Sequence, residues 1–296
     1  PQVARAVASR YIHSMTHALF SRPGSVAQAL ELLADGGAIP LAGGTDYYAA
    51  RVGQPPSGRL VDLTGIDSLR LIERLQDGGW RIGGAATWRD VLRADLPAAF
   101  DGLKLAAREV GGIQVQNCGT IAGNLCNASP AADGVPPLLA LDAQVELSCA
   151  DGTRTIALSS FITGPRRTAK RPGELLTAVL VPAAAAARRS HFSKLGARRY
   201  LLISIVMVAA SIEVDGNGRL RQVAVAVGSC SPVARRLVAL EQRLVGTAAA
   251  DLAQLRFHDS DFRDLSPIDD VRATGAFRLD AAATLVRRVL SASVAS

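Results

Sequence analysis

The stretch GTIAGNLCNASPAAD, Gly119 to Asp133, consists almost entirely of small side chains and ends on its only carboxylate. It interrupts an otherwise apolar, helix-rich chain and reads as a loop. A run that packs so poorly by itself is readily explained when another molecule supplies the missing contacts. Gly123 lets the backbone approach a ligand closely, since no Cβ stands in the way. Successive exposed N–H groups of such a loop suit a phosphate, with or without a helix N-terminus behind them. Thr120 and Asn124 add polar groups, Asn127 and Ser129 can donate or accept, and Pro130 stiffens the chain. Asp133 can accept from ligand hydroxyls, or cap the helical segment that starts at VPPLLA.

A second stretch of this character lies upstream. In AIPLAGGTD a short buried strand ends in Gly43 and Gly44, and Thr45 adds a hydroxyl. Either loop alone is an ordinary tight turn. Together, flanking one folded unit, they point to a two-loop clamp on a diphosphate. Neither is GxGxxG or GxxxxGK[ST], so a Rossmann site and a P-loop find no support.

Outward from these loops the chain divides into three regions. In the first, Ser25 caps a helix over VAQALELLAD, closed by Gly36-Gly37, and RLVDL is a second strand. In the second, strands near 69–75 and 80–84 flank the hairpin turn QDGG. Thr87 caps TWRDVLRAD, LKLAAREVGG is a helix, AQVELSCADGTRTIAL is a hairpin and ELLTAVLVP a strand. AAAAARRS reads as a linker. The third region then pairs ISIVMVAASIEV with LRQVAVAVGS around DGNG, and adds amphipathic helices over PVARRLVALEQRLVG and FRLDAAATLVRRVL. The layout is α+β, with hairpin-connected strands and helices packed on one side.

Composition narrows the function. Hydrophobic residues at 49% and charged residues at 20% describe a globular chain. Aromatics at 4% argue against a stacking platform for single-stranded nucleic acid. The net charge of +7 is carried mostly by arginine, scattered in pairs such as Arg166-Arg167 and Arg235-Arg236 rather than in one block. That pattern is a solvated surface or a face for acidic partners. Cys118, Cys126, Cys149 and Cys230 show no CxxC and no paired spacing with histidine, which argues against a zinc or iron–sulfur site in this chain. Free thiols, no membrane-length apolar run and no secretory pattern over the first fourteen residues lead to a cytoplasmic expectation, with residues 1–15 an N-terminal extension.

The combination LAGGTD, GTIAGNLCNASPAADGVPPLLALDA, GPRRTAKRPGELLTAVLVP, FSKLGARR and DDVRATGAFR, in this order over roughly residues 16 to 293, resembles the FAD-binding medium subunit of the molybdenum hydroxylases, the xanthine, carbon monoxide and nicotine dehydrogenase family. The resemblance implies a vanillyl-alcohol-oxidase-type FAD-binding fold of two small subdomains, about 16–65 and 66–185, and a C-terminal domain of antiparallel sheet with helices over 186–296. It implies that Ala42, Gly43, Gly44, Thr45 and Asp46 form the first pyrophosphate loop, and Thr120, Ala122, Gly123 and Asn124 the second. Ser129 and Asp133 would meet the ribityl and diphosphate groups, Leu175 or Leu176 would lie near the flavin or adenine, and Lys194 near the isoalloxazine. Ala122 stands where the family usually has a glycine, which removes access to positive φ there.

With no Ser-His-Asp arrangement, no metal ligand set and only isolated histidines, the hard chemistry falls to a cofactor. The resemblance implies that a molybdenum-cofactor subunit hydroxylates the substrate and that a small [2Fe-2S] subunit passes electrons to this FAD, from which NAD, a quinone or O2 takes them. The assembly it implies is a dimer of heterotrimers. Lys194 would favour the reduced flavin by about 1–3 kcal/mol through its charge, independently of Asp133. Two alternatives are a stand-alone FAD oxidoreductase of the same fold and a cofactor-free nucleotide-binding module.

Overall fold

The computed structural model describes residues 20–53, 56, 58–197 and 203–295. The expected extension over 1–15, and Arg198 and Arg199 of the FSKLGARR stretch, lie outside the described residues.

Near the N-terminus, three short strands form a parallel sheet in the order Phe20–Ser21, Arg59–Asp62, Ala38–Leu41. The helix Val26–Leu33 packs on it through Ala29 and Leu33. Ser25 caps this helix, its hydroxyl accepting from Gln28 N at 3.3 Å. This pairing is parallel, unlike the hairpins of the two regions that follow. Two strands joined by a helical crossover run parallel, and here the crossover contains the helix Thr45–Ala49, which begins in the first glycine loop.

In the centre, five antiparallel strands run in the order Ile72–Arg74, Trp80–Gly83, Leu175–Val181, Gln144–Cys149, Gly152–Ala157. Their core includes Trp88, Phe100, Leu103, Ile121, Leu125, Leu138 and Phe161. Thr87 and Asp90 form a reciprocal capping box at the start of Trp88–Arg93, satisfying two donors that a helix start otherwise leaves open.

The C-terminal sheet is antiparallel, in the order Arg189–Leu195, Val206–Val214, Leu220–Gly228, Arg235–Arg236. Side chains alternate along a strand. Met207 and Ala209 therefore face Ala106 and Ala140 of the central helices, while Val206, Val208, Ala210 and Ile212 face the long helix Gly275–Ala295. A strand covered on both faces reads as a continuous apolar run, which accounts for IVMVAASI.

AAAAARRS is not an open linker. Ala183–Ala186 is one helical turn, Arg188 pairs with Asp142 at 2.9 Å, and Arg189 already belongs to a strand. The next strand residue, Ser190, binds the central helix: Gly102 N donates to Ser190 Oγ at 2.8 Å, and that hydroxyl donates to Ala99 O at 2.6 Å. A Cβ on Gly102 would sit 2.9 Å from Ser190 Oγ, so the two elements meet only because residue 102 is glycine.

Candidate flavin site

The two glycine loops lie against each other. A Cβ built on Gly43 would fall 1.9 Å from Cys118 O and 2.9 Å from Gly119 N, distances no real side chain reaches. The first loop therefore rests with bare backbone on the segment that leads into the second. Gly44 follows with φ +67, the left-handed region that glycine tolerates, and caps the helix Thr45–Ala49 without a side-chain hydrogen bond.

The second stretch, expected to be a loop, is helical in part. Ile121–Asn127 is helical, with Thr120 as its cap: Thr120 Oγ1 accepts from Gly123 N at 3.0 Å. Trp88 N donates to Gly119 O and Ile121 N to Ala86 O, both at 3.1 Å, which pins the start of this helix to the central unit. Ala128 closes it with φ 46. Ala122 sits in the first turn, outside the positive-φ positions, so alanine carries no backbone strain there.

Between the loops runs a cleft of about 810 Å³, lined by Ala42, Gly43, Gly44, Thr45, Asp46, Thr120, Gly123 and Asn124. Its size is that of a small-molecule site. Tyr47, Arg51, Val110, Val115, Asn127 and Arg166 complete the lining that matters below. Arg51 lies over the Tyr47 ring, 4.0 Å from its centroid. In the sequence Asn127 is legible only as a polar residue of the second stretch, and Arg166 only as one of an arginine pair. The signal for Arg166 was the turn at Gly164-Pro165, whose next residue is thrown back toward the cleft.

The other expected site residues are elsewhere. Ala122 is buried in the central core, and Leu175 and Leu176 are buried on the central strand, facing two different cores. Ser129, half-buried and outside the cleft lining, closes a local turn, its Oγ accepting from Ala131 N at 3.2 Å. Asp133, only 9% exposed, accepts from Lys194 Nζ at 2.8 Å and from Ser204 Oγ at 2.6 Å. Lys194 Nζ also donates to Glu109 O at 2.9 Å, one residue before Val110 of the cleft wall. Burial pushes the Asp133 carboxyl above its ordinary value, against the opposing pull of the Lys194 charge and the two hydrogen bonds. Asp133 and Lys194 thus form one buried ion pair joining the central and C-terminal units. Independent roles do not fit this contact, because the pair is nearly neutral as a whole and its field falls off faster than that of a lone cation.

Residues 14–184 match the family described as the FAD binding domain in molybdopterin dehydrogenase, and residues 191–293 the CO dehydrogenase flavoprotein C-terminal domain. The chain is 31% identical over 285 residues to the xanthine dehydrogenase FAD-binding subunit of Escherichia coli O157:H7, covering 94% of this chain and 97% of that one. It is 28% identical to the carbon monoxide dehydrogenase medium chain of Hydrogenophaga pseudoflava, over 93% and 96% of the two chains. Among solved structures, a chain of reconstituted CO dehydrogenase from Oligotropha carboxidovorans aligns with a TM-score of 0.82 at 26% identity, covering 94% of this chain and 97% of that one. The molecule is thus a flavoprotein of the oxidoreductase class. The chain belongs to the family of FAD-binding medium subunits of the molybdenum hydroxylases.

The cleft fits that cofactor. The helix Thr45–Ala49 starts at the cleft without a side-chain cap, and a helix start suits a phosphate. Asn124 borders the cleft, and its Oδ1 is a buried acceptor with no hydrogen-bond partner among the described residues. Among the described residues no cluster of histidine, cysteine and carboxylates could hold a metal, and no helix is long and apolar enough to cross a membrane.

Proposed function

We propose that this chain is the flavin subunit of a cytoplasmic molybdenum hydroxylase. It would stand between a small [2Fe-2S] subunit and an external acceptor, NAD, a quinone or O2, beside a large molybdenum-cofactor subunit, in a dimer of heterotrimers. The observation that carries the reading is the contact of Gly43 with the Cys118–Gly119 backbone, which brings two glycine loops from different units to one cleft.

In this reading Ala42, Gly43, Gly44, Thr45, Asp46, Thr120, Gly123 and Asn124 hold the cofactor, largely through backbone N–H groups. Ala122, Leu175 and Leu176 act from behind, as packing that fixes the second loop and the central strand. Ser129 stiffens the exit of the second loop. Asp133 and Lys194 hold the C-terminal unit against the cleft wall at Glu109. The division into a flavin-binding domain up to about residue 185 and a C-terminal domain belongs to the same proposal. Bound FAD would supply reversible one- and two-electron chemistry, which no side chain of this protein offers.

No histidine or cysteine stands in a pattern that would fix the flavin covalently, so acid precipitation of the purified, yellow protein should release all the flavin into solution. A colourless protein that takes up no FAD overturns the assignment. Co-purification from the native host with molybdenum and iron–sulfur subunits tests the assembly. A chain that carries FAD but purifies alone, and reduces a substrate unaided, would instead be a stand-alone oxidoreductase.

A further inference from the structure

Arg166 is the second residue of the two-residue turn Pro165–Arg166, between the short strands Ile162–Gly164 and Arg167–Thr168. Proline first and positive φ second is the pattern of a type II turn, whose second position ordinarily takes glycine or asparagine. Here it is an arginine at φ 58. A non-glycine residue in that region is uncommon and carries a backbone cost. Something at this site therefore favours a side chain over the freedom of glycine.

The side chain lines the cleft. Its Nη1 donates to Asn127 Oδ1 and, at 3.3 Å, to Asn127 O. The Arg166 backbone is anchored next door, N donating to Ala128 O at 2.8 Å. Asn127 in turn donates from Nδ2 to Asp46 Oδ1 at 2.8 Å. The amide orientation is consistent at both ends, because its oxygen faces a cation and its nitrogen faces a carboxylate. The result is a polar strap, Arg166 to Asn127 to Asp46, from the hairpin turn across the second glycine loop to the first. Among the described residues the guanidinium nitrogens Nε and Nη2 make no hydrogen bond.

The strap also answers a charge problem. Asp46 places a carboxylate in the first turn beside a cleft that, on the flavin reading, receives a diphosphate. Like charges at close range repel. The Asn127 amide occupies one oxygen of that carboxylate, and Arg166 brings a cation to the same rim.

Resting on the flavin reading above, we propose that Arg166 is a cofactor-retaining residue. It locks the two glycine loops together through Asn127 and directs its free guanidinium nitrogens to the diphosphate of the bound dinucleotide.

The test uses the full chain stripped of flavin and titrated with FAD, following quenching of flavin fluorescence at several salt concentrations. Arg166→Gly removes the side chain and suits the backbone conformation, so the flavin-free variant should melt no lower than wild type. Its affinity for FAD should fall about ten- to a hundredfold, the factor expected for one lost charge-assisted hydrogen bond. Its affinity should also depend less steeply on salt, since a cation–phosphate contact is gone. Arg166→Lys should recover part of the affinity, because an ammonium keeps the charge but not the planar fork that spans two oxygens. Asn127→Ala should weaken binding as well, and the double variant should lose less than the product of the two single losses. Arg166→Gly with wild-type affinity overturns the proposal. So does weakened affinity with unchanged salt dependence, which would leave Arg166 a purely structural strap. If wild type itself binds no FAD, it is the flavin assignment that fails.

Discussion

Replacing Lys194 by methionine tests whether the Asp133–Lys194 contact holds the central and C-terminal units together. The Lys194 side chain is 7% exposed and that of Asp133 11%. Methionine keeps much of the aliphatic length and removes the ammonium, leaving Asp133 with Ser204 as its one remaining side-chain donor among the described residues. Breaking a buried pair from one side costs about 3–5 kcal/mol, because the partner's charge stays desolvated. In a chain larger than 250 residues one kcal/mol corresponds to about 2 °C, so the flavin-free variant should melt about 6–10 °C below wild type at neutral pH. The loss should depend on pH. Burial already raises the Asp133 carboxyl in the folded state, and removing the lysine raises it further. Between the unfolded value near 3.8 and that raised folded value, the folded protein holds more protons than the unfolded one, so stability falls as pH rises through the window. Thermal melts across the weakly acidic to neutral range should therefore show the defect shrinking toward acid. Adding Asp133→Asn should recover part of the loss, with a coupling of about 0.5–3 kcal/mol. A melting point within about 2 °C of wild type, roughly the shift of one kcal/mol, or a defect that does not change with pH, refutes the reasoning.

Gly44→Val combines a branched side chain with φ +67 and a Cβ 2.7 Å from the Tyr48 ring. It should abolish FAD retention, while hydrogen exchange of the C-terminal sheet stays as in wild type. Thr120→Ala removes the cap of Ile121–Asn127 and should cost about 1 kcal/mol, read as a matching drop in the denaturation midpoint. Asp270 accepts from Arg272 N and from Arg278 Nη2, each at 2.8 Å, and these donors hold its carboxyl down at about 2, against an ordinary value of 3.8. A depressed folded value means that its contribution is complete above the unfolded value and is lost as pH falls through about 2. Amide protection of Gly275–Ala295 should weaken over that acid range, and Asp270→Asn should flatten the response.

The local signals were legible where one residue decides a local geometry. Ser25 and Thr87 announced their helices, and the pairs Gly43-Gly44 and Thr120 with Gly123 announced a backbone-lined site. The helix Ile121–Asn127 is hard to read in the sequence because five small or polar residues hide an apolar pair, Ile121 and Leu125, one turn apart behind a threonine cap. The parallel pairing near the N-terminus was not legible, since each of its strands has four residues or fewer and nothing in so short a run specifies a partner. Contacts across the chain left no local trace. Asp133 meets Lys194 sixty-one positions later, and Asn127 meets Asp46 eighty-one positions earlier. Each was noted as a polar residue near a site, but only the packing of the units determines which polar residue it faces.

That packing explains why the cleft belongs to neither unit alone. Gly43 must be bare because the Cys118 carbonyl occupies the space of a side chain, and this carbonyl is where it is because Gly119 and Ile121 are tied back to Trp88 and Ala86. The far wall, near Val110, is steadied by a lysine from the C-terminal sheet reaching Glu109 O. The contact at Gly43 and the lysine bond to Glu109 thus each cross from one unit to another. Any substitution that lets the units shift changes the cleft before it unfolds a core, so flavin affinity should be a more sensitive measure of this chain's integrity than its melting point. The residues with the greatest leverage on the cofactor then include several that do not line the cleft, with Asp133 and Lys194 foremost among them.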